Sequence, residues 1–375
     1  MGHVRSWVIR QTLCFDSAHH AFVHRDMEIT GGRISAMLPA GTSTLTDGMD
    51  GSRLVCTPGV VGIGAAGATM AGSARSAWPA CVTSVGVHGA TMREMSAAMP
   101  AAPLRTVALL RFGGNYLEQV NGFLDWFLQA SRGRERTDAR RPLTVMPVLE
   151  TGTLMSATEL VEFAKFAKTM GARVGVRLAP TLDEALEFRA RFYCAESALI
   201  AYLLPDDKDV TVFGAAGIDR RDVGLLRRMR CAVSMAVPGG GEAAGQWRAY
   251  APLFAQGLAA WHLSAEAAPT FLAQLAQLAP AAQLDCYADA LTRAAAAALG
   301  LADVGSLAPG MRADVCVFER DAADDYRTGS AALLTLLATR RPAFTIVDGG
   351  QMQDGVAAAA GTGAQARTEL AASYA

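Results

Sequence analysis

Short apolar runs alternate with helix-length segments through the middle of this chain. The runs are VTSVGVHG (82–89), TVALLRFGG (106–114), LTVMPVLETG (143–152), ARVGVRLAP (172–180), VTVFGAAG (210–217), CAVSMAVPGG (231–240) and LAAWHLSAEA (258–267). Runs this short, bounded by Gly and Pro, read as buried strands. Between them lie YLEQVNGFLDWFLQASR and SATELVEFAKFAKTMG, the second framed by Ser156 as N-cap, Glu159 three residues on and Gly171 as stop. A further strand at 58–66 makes eight strand–helix units. Eight units in about 250 residues predict an α/β fold, a closed (β/α)8 TIM-type barrel over 58–303. The open doubly wound alternative lacks a G-x-G-x-x-G after its first strand.

The two ends of the chain have a different rhythm. Residues 4–57 alternate as strands and turns, with Gly31-Gly32 placed as in a hairpin, and strand patterns return in GSLAPGMRADVCVFERD and AFTIVDGGQMQDG. Each end holds too few strands to close a core alone. Residues 1–57 and 304–355 are therefore expected to form one small β-sandwich domain from both termini, with 356–375 as a flexible tail.

Composition narrows the class of function. Of 375 residues, 51% are hydrophobic and 18% charged, which argues against disorder, and the net charge of −1 argues against nucleic acid as a partner. No strongly apolar run of about 18 residues suggests a membrane span, and the first twenty residues do not read as a signal peptide. The seven cysteines form no C-x-x-C pair, so buried reduced thiols in a cytoplasmic protein are expected. The basic run RGRERTDARR (132–141) reads as a solvated loop. PGGGEAAGQW (238–247) lacks the Lys-Ser/Thr ending of a phosphate-binding loop.

ALGLADVGSLAPGMRADVCVFERD (298–321), with DMEITGGRISAM before it, then TPGVV, and FTIVDGGQMQDG late in the chain, resembles the flanking signature of the amidohydrolase superfamily. The likeness is strongest to its chlorohydrolase and aminohydrolase branch, which includes cytosine and guanine deaminases. The resemblance implies a barrel inserted in a small β-sandwich and a metal held by residues at the strand ends.

Those ligand positions differ here. The first strand of such enzymes ends PG-x-V-x-x-H-x-H, whereas PGVVGIGAA places Gly64 and Ala66 at the histidines. The fifth-strand ligand becomes Arg177, with Pro180 at the proton-shuttling Glu; the sixth-strand ligand becomes Gly214 and the eighth-strand Asp becomes Ala265. Gly and Ala carry no donor atoms, and a guanidinium cannot ligate. A water that loses its zinc returns from a pKa of about 7 towards 15.7, a loss of roughly 12 kcal/mol of activation. No metal and no other cofactor is therefore expected.

What remains at the strand ends is charge. Arg177, Glu150, Arg111, His88 and Asp219 are the candidate pocket residues. They form either an internal ion-pair network or a pocket for an anion, since an Arg fork suits carboxylates and phosphates. His20 and His24 are read as lying in a solvated turn, and His262 as facing the outer helices. The resulting expectation is a pseudoenzyme acting as a structural or regulatory partner of another protein, such as an active amidohydrolase homologue, or as a homo-oligomer. The alternatives are a metal-independent enzyme acting on a small anionic or zwitterionic substrate, and a deaminase-type C–N hydrolase if the ligand alignment is displaced.

Overall fold

The computed structural model describes residues 6–64, 81–88, 105–113, 119–125, 128, 144–179, 181–204, 209–214, 218–236, 250–262, 268–321 and 324–352. Its strands form two sheets of eight.

The first sheet gathers strands from both ends of the chain. They are β1 (Ser6–Asp16), β2 (Ala21–Thr30), β3 (Arg33–Pro39), β4 (Gly48–Asp50) and β5 (Leu54–Pro58) from the start, and β14 (Val315–Glu319), β15 (Phe344–Val347) and β16 (Gly350–Met352) from the end. The order is β16-β15-β14-β5-β1-β2-β3, with β4 also on β1. Gly31 and Gly32, both at positive φ, make the expected hairpin. That hairpin folds back onto the late turn, for a Cβ on Gly32 would lie 2.7 Å from the Asp348 carbonyl oxygen. On this sheet Trp7, Ile9, Met27, Ile29, Ile34, Val315, Val317 and Ile346 form a separate core.

The second sheet is parallel throughout and ordered as the chain runs: β6 (Val60–Gly64), β7 (Val82–His88), β8 (Arg105–Phe112), β9 (Thr144–Glu150), β10 (Val174–Arg177), β11 (Val210–Phe213), β12 (Ala232–Ala236) and β13 (Ala259–His262). β13 returns beside β6. The segment after it bridges the seam, with Ala290 O accepting from Trp261 N and Leu291 O from Val61 N. This is the nearly closed barrel that the eight-unit pattern implies.

The described helices are α1 (Ala157–Thr169), α2 (Leu182–Phe192), α3 (Glu196–Leu203), α4 (Arg220–Met229), α5 (Ala251–Phe254), α6 (Ala268–Leu278), α7 (Ala281–Asp289), α8 (Arg293–Ala298) and α9 (Ser330–Thr339). None is long and apolar enough to cross a membrane. α1 follows Ser156 as expected, although the Ser156 hydroxyl makes no capping bond and Glu159 instead accepts from Met155 N at 3.1 Å.

Side-chain alternation divides the barrel strands between two cores. Val61, Ile63, Val107, Leu109, Met146, Val148, Phe213, Ala232 and Ala260 fill the interior, and Ala295 and Ala298 of α8, with Leu299 just after it, close it from below. Leu299 packs directly over Gly86, where a Cβ would sit 2.6 Å from Leu299 Cδ2 and force that side chain to move. The alternate residues, among them Leu110, Val176, Val212 and Trp261, pack outward with Phe163, Phe188, Leu226 and Leu253.

A buried ion-pair network joins the two sheets. Arg105, at the start of β8, meets Asp314 at 3.3 Å and Asp348 at 2.6 Å, and Arg312 also reaches Asp348 at 2.8 Å. Beside it, Gly59 N donates to Asp314 O at the passage from β5 into the barrel.

Candidate functional site

The interior rows of β8, β9 and β10 end in charge. Val107 and Leu109 lead to Arg111, Met146 and Val148 to Glu150, and Gly175 to Arg177, so that period-two alternation carries all three onto the inner side at the C-terminal strand ends. Glu150 and Arg177 are register partners. Arg177 NH1 donates to Glu150 Oε1 at 2.7 Å, and Arg111 Nε lies 2.7 Å from the same oxygen. The side chains are 35% exposed at Arg111, 20% at Glu150 and 30% at Arg177, so the cluster is half-buried. Two guanidinium groups on one carboxylate leave a net positive charge.

A second layer holds these strand ends in place. Thr151 Oγ1 lies 2.9 Å from Arg177 O and is also bonded to Glu196 Oε1, while Ala179 N donates to Glu196 at 3.0 and 3.2 Å. Burial raises the Glu196 pKa above its ordinary value. Thr151 Oγ1 thus stands between the Arg177 carbonyl oxygen and the Glu196 carboxyl group, within hydrogen-bond reach of both. Behind it, Ser197 donates to Asp222, and Asp222 accepts from Asp219 N at 3.0 Å.

The other candidates fall elsewhere. Asp219 does not join the cluster: it is the exposed N-cap of α4, accepting from Arg221 N and Asp222 N in a capping box. His88 ends β7 in register with Leu109, and its side chain lies outside the described residues. His262 ends β13, and its side chain, like that of His88, lies outside the described residues. His20 is not simply solvated, because its Nε2 is 3.2 Å from Asp289 Oδ1 and its ring is mostly covered; His24, by contrast, is exposed.

Of the positions aligned with metal ligands, Gly214 directly follows β11 at positive φ, and a Cβ there would be 3.8 Å from Arg177 Cγ. In β6 the interior positions are Val61 and Ile63, so the alternation sets Gly64 with Gly62 on the other side. Ala66, Pro180 and Ala265 lie outside the described residues, as do 132–141, 238–247 and the tail 356–375. Glu196 and the His20–Asp289 contact escaped sequence reasoning, the latter joining residues 269 positions apart.

No protein-family model matches the sequence, and no curated protein matches it significantly. Solved structures do match in shape. The aminofutalosine deaminase of Helicobacter pylori superposes with a TM-score of 0.70 at 14% identity, over 93% of this chain and 100% of that one. A zinc-bound adenosine deaminase from Xanthomonas campestris gives 0.69 at 12% identity, over 92% of each chain. A mutant atrazine chlorohydrolase from Arthrobacter aurescens, complexed with zinc and atraton, gives 0.68 at 14% identity, over 92% and 94%. The fold is therefore that of the TIM-barrel amidohydrolases, and the likeness carries the fold alone.

Zinc in two of those neighbours prompts a test of fit. Among the described residues, no three His, Cys, Asp or Glu side chains gather closely enough to hold a metal ion. Glu150, a carboxylate at the strand ends, is already held by two cations, which a divalent ion would have to displace. The described residues do not fit a zinc centre.

Proposed function

We propose that this chain is a pseudoenzyme on the amidohydrolase barrel, lacking metal-dependent hydrolysis and acting as a structural or regulatory partner of another protein. The observation that supports this reading is the Arg177–Glu150 ion pair, Arg177 being the residue that the resemblance aligns with a metal ligand. A cation fixed there opposes a second, divalent one. The test is elemental analysis of the purified protein together with co-purification from its native host. The expected result is no stoichiometric zinc, iron or manganese, with a protein partner retained. Close to one metal per chain, lost on substitution of Glu150 or His88, would overturn the reading and return the chain to the deaminase-type hydrolases.

One observation favours a second use of the same mouth. Arg111 engages Glu150 through Nε and Arg177 through NH1, leaving the remaining N–H donors without partners among the described residues. Such donors suit a small carboxylate or other oxyanion, bound alone or as part of a zwitterion. Calorimetric titration with acetate and phosphate tests this. Binding that disappears in Arg177→Ala and Arg111→Ala supports a small-molecule role, and heat unchanged by either substitution counts against it.

A further inference from the structure

We infer that the chain pairs with a second copy of itself across the face formed by α2, α3 and α4. This goes beyond the reading of the barrel mouth and stands whether or not the mouth binds a ligand. The first observation is an under-covered helix. α2 buries only Phe188 among its eleven residues, while Leu182 and Leu186, one turn apart, are 68% and 52% exposed. On neighbouring α3, Tyr202 is 82% exposed. Two exposed leucines one turn apart on a helix, with a further exposed aromatic on its neighbour, point to an interaction surface.

The second observation is charge. Asp183, Glu184 and Glu187 lie exposed on the first two turns of α2, and Arg227 and Arg228 lie exposed on the last turn of α4. Among the described residues none of these five charges forms an ion pair. The two sets are opposite in sign and flank the same apolar element, since α3 packs against both α2 and α4. A surface with those properties is self-complementary. A two-fold axis through α3 brings the acidic turns of α2 onto the basic end of the partner's α4, repeats the contact on the other side, and sets Tyr202 near the axis. Antiparallel overlap limited to those turns also keeps Arg189 and Arg191, later on α2, clear of Arg220 and Arg221 on the partner's α4.

The experiment is sedimentation velocity of the full chain over a concentration series at low and high salt. The expected result is a dimer at low salt that dissociates as screening rises. Reversing one side, as in E184R/E187R or R227E/R228E, should give monomers with an unchanged circular dichroism spectrum. Mixing the two reversed variants in equal amounts should restore a dimer, because the arginines placed on α2 of one then meet the glutamates placed on α4 of the other, while the unchanged α2 and α4 charges meet on the opposite side. Tyr202→Ala supplies a reading that leaves every charge in place, and should weaken the dimer. A wild-type monomer at every concentration overturns the inference. So does a dimer indifferent to these substitutions, or a pair of reversed variants that fail to associate.

Discussion

Replacing Glu150 by Gln should destabilise the barrel more than removing either arginine that holds it. Opposite charges with centres about 4 Å apart attract by about 4 kcal/mol at an effective dielectric of 20. With a fifth to a third of each side chain in solvent, much of that attraction is offset by lost hydration, and each pair contributes about 1 kcal/mol net. Arg177→Ala leaves Glu150 paired with Arg111, and Arg111→Ala leaves it paired with Arg177, so each should cost about 1 kcal/mol. Glu150→Gln removes both pairs and leaves two like charges facing one another, for about 2–3 kcal/mol. Urea unfolding followed by tryptophan fluorescence, compared at constant slope, reads these differences as midpoint shifts. The Arg177→Ala/Glu150→Gln double variant should lose less than the two single losses together, because its only remaining mouth cation has no opposing one. Strict additivity, or a Glu150→Gln cost no larger than that of Arg177→Ala, would refute the shared-carboxylate account.

Three further outcomes follow from the same contacts. Arg105→Ala should cost about 3–5 kcal/mol, since it strips the partner from buried Asp314 and weakens the hold on Asp348; thermal unfolding beside an exposed-site control such as Arg53→Ala measures it. Burial lifts the Glu196 pKa above the ordinary 4.5, so folding favours its protonated form. The stability it contributes is complete below 4.5 and is lost as pH rises through the raised value, and Glu196→Gln should show a flatter stability–pH curve over that window. Of the seven cysteines, only Cys194 and Cys286 are partly exposed, while burial pushes Cys231 up to about 12. A thiol reagent should therefore label those two quickly in the native protein, and equal rates for all seven would contradict the packing.

Much of the barrel was legible because its strands are short apolar runs with clear ends. The Glu150–Arg177 contact was legible too, since two residues closing adjacent parallel strands on the same alternation must meet. Asp219 shows where this reasoning stops. It stands just beyond a strand end, as a mouth residue would, but Asp219 and Asp222 also have capping-box spacing, and the orphan N–H groups of α4 claimed the carboxylate. Glu196 gave no signal, because a carboxylate in a helical segment reads as solvated until the fold sets it beside Thr151 and Ala179. The His20–Asp289 contact depends on how the terminal sheet rests on α7, which no local pattern records.

The pairing of β5 has a consequence for how the molecule is made. β5 leads straight into the first barrel strand, yet its long neighbour is β14, bonded from Leu54 to Pro58, while β1 meets it at only two residues. At about 5–20 residues per second, the ribosome needs roughly a quarter of a minute to a minute to deliver β14 after β5 has emerged. Throughout that interval Val55 and Cys56 present an open hydrogen-bonding edge to any strand that passes, including those of the barrel still being synthesised. The edge of β5 that β14 covers is therefore made early and closed only after the whole barrel has been synthesised.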